Sequence, residues 1–367
     1  MAIPKALRRL IRNTVLDLDG YVPVEPVEVV ADRIGKPVDE IIRLHMNENP
    51  YGTSMRVQEV LASFDHYQEY PDADQRVARE RIAAYTGAPS QRIIIGNGSD
   101  ELIDLLLLAT IDPGDEVIVP TPTFGVYESR APLFGGVVRR VPRTADFDLD
   151  VDAIIQAVTE RTKLIFVTAP NNPTGNMPTS QQIVRLLRTG ALIVADEAYY
   201  EFSGKTFVPL AREFDNLVIL RTFSKWAGLA GMRLGYAILP DALAAELWKV
   251  KQPFNVSAAG LKAIEAVLDD IDYLRETVNR IKIERGRLFR ALRKLNFLQP
   301  YPSQGNFILC RVTRGDAHDI HRRLERRGIL VRKYSDPELR NYLRITVGRP
   351  EHTDALMAAL RGMAGEI

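Results

Sequence analysis

Between about residues 92 and 240 the chain alternates short apolar, β-branched runs with stretches of helical periodicity: RIIIG, DEVIVP, VVRRV, KLIFVT, ALIVAD, NLVILR and GYAIL. Runs of this kind, apolar on both sets of alternating positions, predict strands buried on both faces, and their alternation with helices predicts a mostly parallel sheet wrapped by helices. After residue 240 the rhythm changes. LAAELWKVK and AIEAVLDDIDYLRETVNRIKIERGRLFRALRKL repeat apolar residues at helical spacing among many charges. NFILCRV, GILVRK and YLRITVG then read as three strands with one helix between them, a smaller α+β layer. The first 50 residues, broken by Pro23, Pro26, Pro37 and Pro50, read as an arm with one helix. The pattern therefore predicts an α/β protein: an N-terminal arm over 1–50 that is part of a small domain, a large domain over 51–250, and the body of the small domain over 251–367.

Composition narrows the chemistry more than the fold. Lys and Arg number 48 against 47 Asp and Glu, so no global field draws the chain to nucleic acid or to a charged lipid surface, and any anion site must be local. The single cysteine, Cys310, excludes an internal disulfide and a cysteine metal cluster and fits a reducing compartment. The opening MAIPKALRRLIRNTVLDLDG is basic but lacks the apolar core and cleavage site of a secretion signal, and LIDLLLLATI is interrupted by Asp104; a cytoplasmic protein without a membrane span, nucleic-acid partner or metal is expected.

Ligands of open parallel sheets bind beyond the carboxyl ends of the strands. After RIIIG, Gly96 and Gly98 permit a tight turn, and Ser99 and Asp100 open a helix whose free N–H groups would face an anion; an ordinary helix cap has the same letters. KLIFVT runs into Asn171 and Asn172, a turn with two amides. ALIVAD ends in Asp196, a carboxylate leaving a buried strand, which needs a cap, an ion pair or a cationic ring nitrogen as partner. NLVILR ends in Thr222, Ser224 and Lys225, with Arg233 eight residues on. Most lysines are solvated, but a partly buried amine with depressed pKa forms imines, and hydroxyls plus an arginine make an anion site beside it. Together these groups meet the needs of pyridoxal phosphate: a cradle for its phosphate, a partner for its ring nitrogen and an amine for its aldehyde.

Through DGYVPVEP, LHMNENPYG, EYPD, GNGSDELI, PTPTFGVY, APNNPTGN, VADEAYYEF, RTFSKWAGLAGMRLGY, SQGNFILCRV and YLRITVG, nearly the whole chain resembles the fold-type I pyridoxal-phosphate aminotransferases, and more narrowly their histidinol-phosphate branch. The resemblance implies that Lys225 carries the cofactor as a Schiff base and shuttles the proton, that Asp196 pairs with the pyridine nitrogen, and that Tyr199 and Asn172 bond its phenolic oxygen. It implies a phosphate cradle of Ser99, Asp100, Thr222, Ser224 and Arg233, completed by Tyr70 from the second subunit of a homodimer, with Phe124 stacked on the ring. For substrate it implies Arg344 with Asn172 on the α-carboxylate of glutamate, and Arg332 joining Arg344 on a substrate phosphate, with Tyr21 and Asn47 closing the pocket. The expected reaction is transfer of an amino group from glutamate to imidazole-acetol phosphate. The alternatives are an aromatic aminotransferase, a threonine-phosphate decarboxylase, and a non-catalytic cofactor sensor, the last disfavoured by the lack of a helix-turn-helix pattern. Two letters depart from the family: Trp226 after the lysine, which would reshape the pocket wall near the imine, and Gly305 in SQGNF where alanine is usual. His45 and His66 are read as satisfied or surface histidines.

Overall fold

The computed structural model describes residues 3–18 and 24–364. All seven expected runs of the central region are strands: β2 (Ile93–Gly96), β3 (Glu116–Thr121), β4 (Val137–Pro142), β5 (Thr162–Thr168), β6 (Leu192–Asp196), β7 (Leu217–Thr222) and β8 (Gly235–Ile238), preceded in the chain by the short β1 (Ile42–Leu44). They form one sheet in the order β2-β8-β7-β6-β5-β3-β4. Every pair is parallel except the two that β8 makes, with β2 and with β7. Side chains alternate between two apolar layers. Leu164, Phe166, Val194, Val218 and Leu220 pack under the helix Ser99–Thr110, through Leu102 and Leu106. Ile165, Val167, Ile193, Ala195, Leu217 and Ile219 face the opposite layer, with Ile82 and Leu186. A strand covered on both faces has no solvent side, hence the continuous apolar runs in the sequence.

The C-terminal third builds a second sheet from β9 (Leu298–Pro300), β10 (Phe307–Val312), β11 (Ile329–Lys333) and β12 (Tyr342–Thr346), in the order β1-β11-β12-β10-β9. Three of its five strands were expected; β9 and β1 were not. Among the described residues the arm carries three short α-helices, Lys5–Arg8, Asn13–Leu16 and Val27–Ile34, rather than one, and then gives up Ile42–Leu44 as an edge strand parallel to β11. The long helical stretch divides at Asp270 into Ala258–Asp269 and Ile271–Leu292. One face of the second sheet, including Leu343 and Ile345, belongs to the same apolar cluster as Ile165 and Ile193. Its other face presents Phe307, Arg344 and Thr346 toward the carboxyl ends of the first sheet, where their polar and ring contacts lie. No helix among the described residues is long and apolar enough to cross a membrane.

Candidate active site

Five strands end at one edge of the large sheet, and each delivers a polar or aromatic group there. β2 ends in Gly96, and the helix that follows starts at Ser99, its N-cap Gly98 holding φ +85°. The leading N–H groups of a helix have no acceptor within it and attract anions. Register brings β7 to the same place: Gly235 pairs with Thr222 on one side and Gly96 on the other. A Cβ built on Gly235 would lie 2.6 Å from the Ser99 nitrogen, and one on Gly98 2.6 Å from the Arg233 guanidinium. Glycine at these two positions therefore lets the helix terminus, the strand end and Arg233 converge. The Thr222 hydroxyl lies 2.9 Å from the Ser224 hydroxyl and accepts the Ser224 N–H at 3.1 Å. Arg233, at φ +54°, donates to Asp100 at 2.9 Å. Helix dipole, N–H groups, hydroxyls and guanidinium thus make a cradle suited to a phosphate.

At the end of β6, Asp196 is 3% exposed. The Tyr127 hydroxyl donates to its Oδ2 at 2.5 Å, and the Ala198 N–H to its Oδ1 at 3.0 Å. Burial pushes its pKa up to about 6 despite these two donors. Tyr127 stacks on Phe166, and its hydroxyl also meets the Thr168 hydroxyl at 3.0 Å. Phe124, after β3, packs edge-on against Tyr127 with centroids 5.7 Å apart. A carboxylate so buried needs a cationic partner.

Lys225 follows β7, partly buried, and its Nζ donates to the Met46 carbonyl at 3.1 Å. Burial brings the amine down to about 8, Arg344 and Arg233 pushing the same way and Glu48 and Asp100 opposing. The segment that supplies this carbonyl ties the two sheets together. The Asn47 amide donates to the Tyr199 hydroxyl at 2.9 Å, its Oδ1 accepts from Thr346 at 2.9 Å, and its carbonyl accepts from Asn306 at 3.0 Å. Asn47 is buried at φ +55°, a conformation asparagine tolerates better than most residues. Arg344, on β12, donates to Asn172 at 2.6 Å and to the His45 carbonyl at 2.6 Å. Tyr199 rests edge-on against Phe307 at 5.0 Å, and burial raises its hydroxyl to about 12. Arg332 stands directly opposite Arg344 in the β11–β12 ladder. Directly opposed residues share a face, and like charges there repel unless an anion joins them.

The structure thus joins Lys225, Tyr199, Asn47, Asn172 and Arg344 in one hydrogen-bonded set, Asp196 with Phe124 through Tyr127, and Ser99, Asp100, Thr222, Ser224 and Arg233 in another group. Tyr70 stands apart, 82% exposed and stacked on Phe254 at 4.7 Å. Tyr21 lies outside the described residues. Tyr127, Thr346, Phe307 and the Met46 carbonyl went unread in the sequence. Tyr127 sits on the short helix Val126–Arg130 while Phe124 precedes it, so no helical spacing announced the pair. Trp226 is not a polar-pocket group: its ring is 1% exposed and stacks on Tyr85 at 5.5 Å in the core. Gly305 has a steric reason, since a Cβ there would lie 2.5 Å from the Phe307 ring. His66 is at the surface beside Asp65 and Glu69, whereas His45 is buried and its Nδ1 has no partner among the described residues, so it is not the satisfied histidine expected.

Known proteins are similar to this chain over nearly its whole length. It is 45% identical over 371 aligned positions to the histidinol-phosphate aminotransferase of Roseiflexus castenholzii, covering 99% of this chain and 100% of that protein. It is 46% identical over 360 positions to the protein of the same name from Dehalococcoides mccartyi, covering 98% and 99%. Among solved structures, histidinol-phosphate aminotransferase from Sinorhizobium meliloti in complex with pyridoxal-5'-phosphate superposes with a TM-score of 0.86 at 26% identity, over 96% of this chain and 98% of that one. Residues 39–360 match the family described as aminotransferase class I and II. The chain belongs to the class I and II aminotransferases.

Proposed function

We propose that this protein is a pyridoxal-phosphate-dependent histidinol-phosphate aminotransferase, converting imidazole-acetol phosphate and L-glutamate to L-histidinol phosphate and 2-oxoglutarate, a step of histidine biosynthesis. The observation that carries the substrate choice is the cross-strand pair Arg332 and Arg344, two guanidiniums on one face beside the segment that binds Lys225. Paired forks suit a phosphate dianion.

The residues present fit the cofactor. The helix start at Ser99 and Asp100, with Thr222, Ser224 and Arg233, would hold its phosphate; Asp196 would hold the proton of its ring nitrogen, and Phe124 would cover its ring. Tyr199 and Asn172 would donate to its phenolic oxygen, each already anchored, by Asn47 and by Arg344. When bound, pyridoxal phosphate supplies an electron sink that makes the substrate Cα–H acidic. Lys225 Nζ attaches the cofactor and moves the proton at Cα, a task its lowered pKa of about 8 suits. Arg344 with Asn172 binds the α-carboxylate of glutamate, and Arg332 with Arg344 binds the phosphate of the other substrate, Asn47 and Tyr21 closing the pocket. The exposed Tyr70 ring supports a homodimer in which it completes the partner's phosphate cradle. The arm over 1–50 and the segment 251–367 act as one small domain against the large domain 51–250, and the enzyme works in the cytoplasm.

The direct assay incubates the purified enzyme with L-histidinol phosphate and 2-oxoglutarate. Glutamate should form without carbon dioxide. Release of carbon dioxide from threonine phosphate, with no need for 2-oxoglutarate, would replace the transaminase by a decarboxylase.

Two further outcomes follow from the ionisation of the site. Asp196→Asn keeps a hydrogen-bonding side chain beside Tyr127 but cannot hold the ring proton, so turnover should fall by the equivalent of about 2 kcal/mol or more while the melting temperature moves far less. Unchanged turnover would remove Asp196 from the chemistry. Because the amine is the reactive form and its pKa is lowered to about 8, capture of pyridoxal phosphate by the cofactor-free protein should accelerate as pH rises and level off above about 8. Stopped-flow absorbance at a series of pH values measures this; a rate still climbing toward pH 10, as for an ordinary lysine, would contradict the burial of the amine.

A further inference from the structure

His45 follows the last residue of β1, where Leu44 pairs with Val331. His45 lies just beyond the last pair of that ladder, as Arg332 lies just beyond Val331; the Arg332 charge acts on the His45 ring, and Arg332 in turn stands opposite Arg344. The ordering is supported from a second side, because the His45 carbonyl accepts the Arg344 guanidinium at 2.6 Å. His45 is 6% exposed, and its buried Nδ1 has no hydrogen-bond partner among the described residues. Arg332 likewise has no hydrogen-bond or ion-pair partner among them. An unpaired buried polar atom is costly and rare, and the buried Nδ1 of His45, next to the half-buried guanidinium of Arg332 and to Arg344, describes a binding surface for an acceptor. Burial and the charges of Arg43, Arg344 and Arg332 hold the imidazole to about 4, so at neutral pH the ring is uncharged and carries one N–H. Either tautomer leaves Nδ1 without a protein partner; an anion bound there favours the one with the proton on Nδ1.

We infer that His45 is a third ligand of the anion gripped by Arg332 and Arg344, donating Nδ1–H to the substrate phosphate and so contributing to the choice of phosphorylated over unphosphorylated substrates. This rests on the proposed function, and deepens it at one residue. The neutral donor adds a hydrogen bond without adding a third charge to two guanidiniums that already repel each other, and its short, buried ring fixes where the phosphate oxygen must lie. Asparagine should replace it in part, its amide nitrogen standing in for Nδ1, whereas leucine keeps volume and loses the donor.

The test uses the enzyme in its pyridoxamine form, which cannot transaminate an amine, titrated with L-histidinol phosphate and with L-histidinol. In the wild type the phosphorylated ligand should bind far more tightly. In His45→Leu its dissociation constant should rise about tenfold or more while that of histidinol changes less than about twofold, and His45→Asn should recover to within about threefold of wild type, the pattern of one lost hydrogen bond to a charged group. Equal weakening of both ligands in His45→Leu would reduce His45 to a structural part, and an unchanged preference would remove it from the site; both overturn the inference and leave the proposed function standing. A wild type that binds the two ligands equally would overturn the proposed function itself. Should the leucine variant fail to fold, ring-¹⁵N-histidine labelling of the wild type decides the matter: one Nδ1 resonance, assigned by its absence in His45→Asn, should shift with histidinol phosphate and stay put with histidinol, and no such shift would overturn the inference.

Discussion

Replacing Lys225 by alanine will stop turnover, by on the order of 10,000-fold or more, while pyridoxal phosphate still binds. The loss is large because one amine has two tasks, attaching the cofactor and moving the proton at the substrate carbon, and among the described residues no other lysine is joined to this hydrogen-bonded set. The binding that survives comes from groups the substitution does not touch: the helix start at Ser99, the hydroxyls of Thr222 and Ser224, Arg233, and the buried carboxylate of Asp196. The fold should lose little, since the lysine gives up one hydrogen bond, to the Met46 carbonyl. Borohydride reduction of the wild type followed by peptide mapping should place the cofactor on Lys225, and the variant should show cofactor absorbance that washes out. Attachment to another lysine, or a variant retaining more than about a hundredth of the activity, would contradict the assignment.

Arg332→Leu should cost the histidinol-phosphate reaction roughly 2 to 4 kcal/mol in transition-state binding, tens to several hundredfold in kcat/KM, and leave phenylalanine little affected or improved. The position of Arg332 opposite Arg344 is the reason. A phosphate dianion satisfies both forks, whereas a neutral aromatic ring leaves one guanidinium unpaired beside a like charge. Glutamate should suffer less, since Arg344 is braced independently by Asn172 and by the His45 carbonyl. The ratio of the two efficiencies, measured in wild type and variant, checks this. A ratio that does not move would mean Arg332 does not read phosphate, and an aromatic aminotransferase would become the better description.

The letters of the sequence carried most of the large sheet, and for a physical reason. A strand buried on both faces has to be apolar along its whole length, so KLIFVT, ALIVAD and NLVILR announce themselves, and a charged residue at such a strand's end, Asp196 or Lys225, is conspicuous. The three-residue edge strands β1 and β9 are too short to show a period. Strand direction is equally silent: GYAIL reads like its neighbours, yet β8 runs antiparallel to both. In the site, what the sequence hid was mostly backbone and conformation. A carbonyl has no letter, so the Met46 oxygen on Lys225 and the His45 oxygen on Arg344 were invisible. Nor do the letters say that Asn47 turns through positive φ to reach Tyr199 and Thr346. Trp226 misled for the opposite reason, since adjacency to Lys225 suggested the pocket while the turn after β7 sends its ring into the core against Tyr85.

The central claim is that one site binds pyridoxal phosphate at Lys225 and accepts amino groups from a phosphorylated imidazole donor. Its most direct test is a single-turnover titration of the cofactor-loaded enzyme with L-histidinol phosphate, glutamate, phenylalanine and threonine phosphate, following loss of the yellow absorbance. Histidinol phosphate and glutamate should each bleach the enzyme fully and stoichiometrically, with histidinol phosphate reacting at the highest efficiency and phenylalanine well behind. Faster bleaching by phenylalanine, or carbon dioxide release with threonine phosphate in place of bleaching by histidinol phosphate, would contradict it.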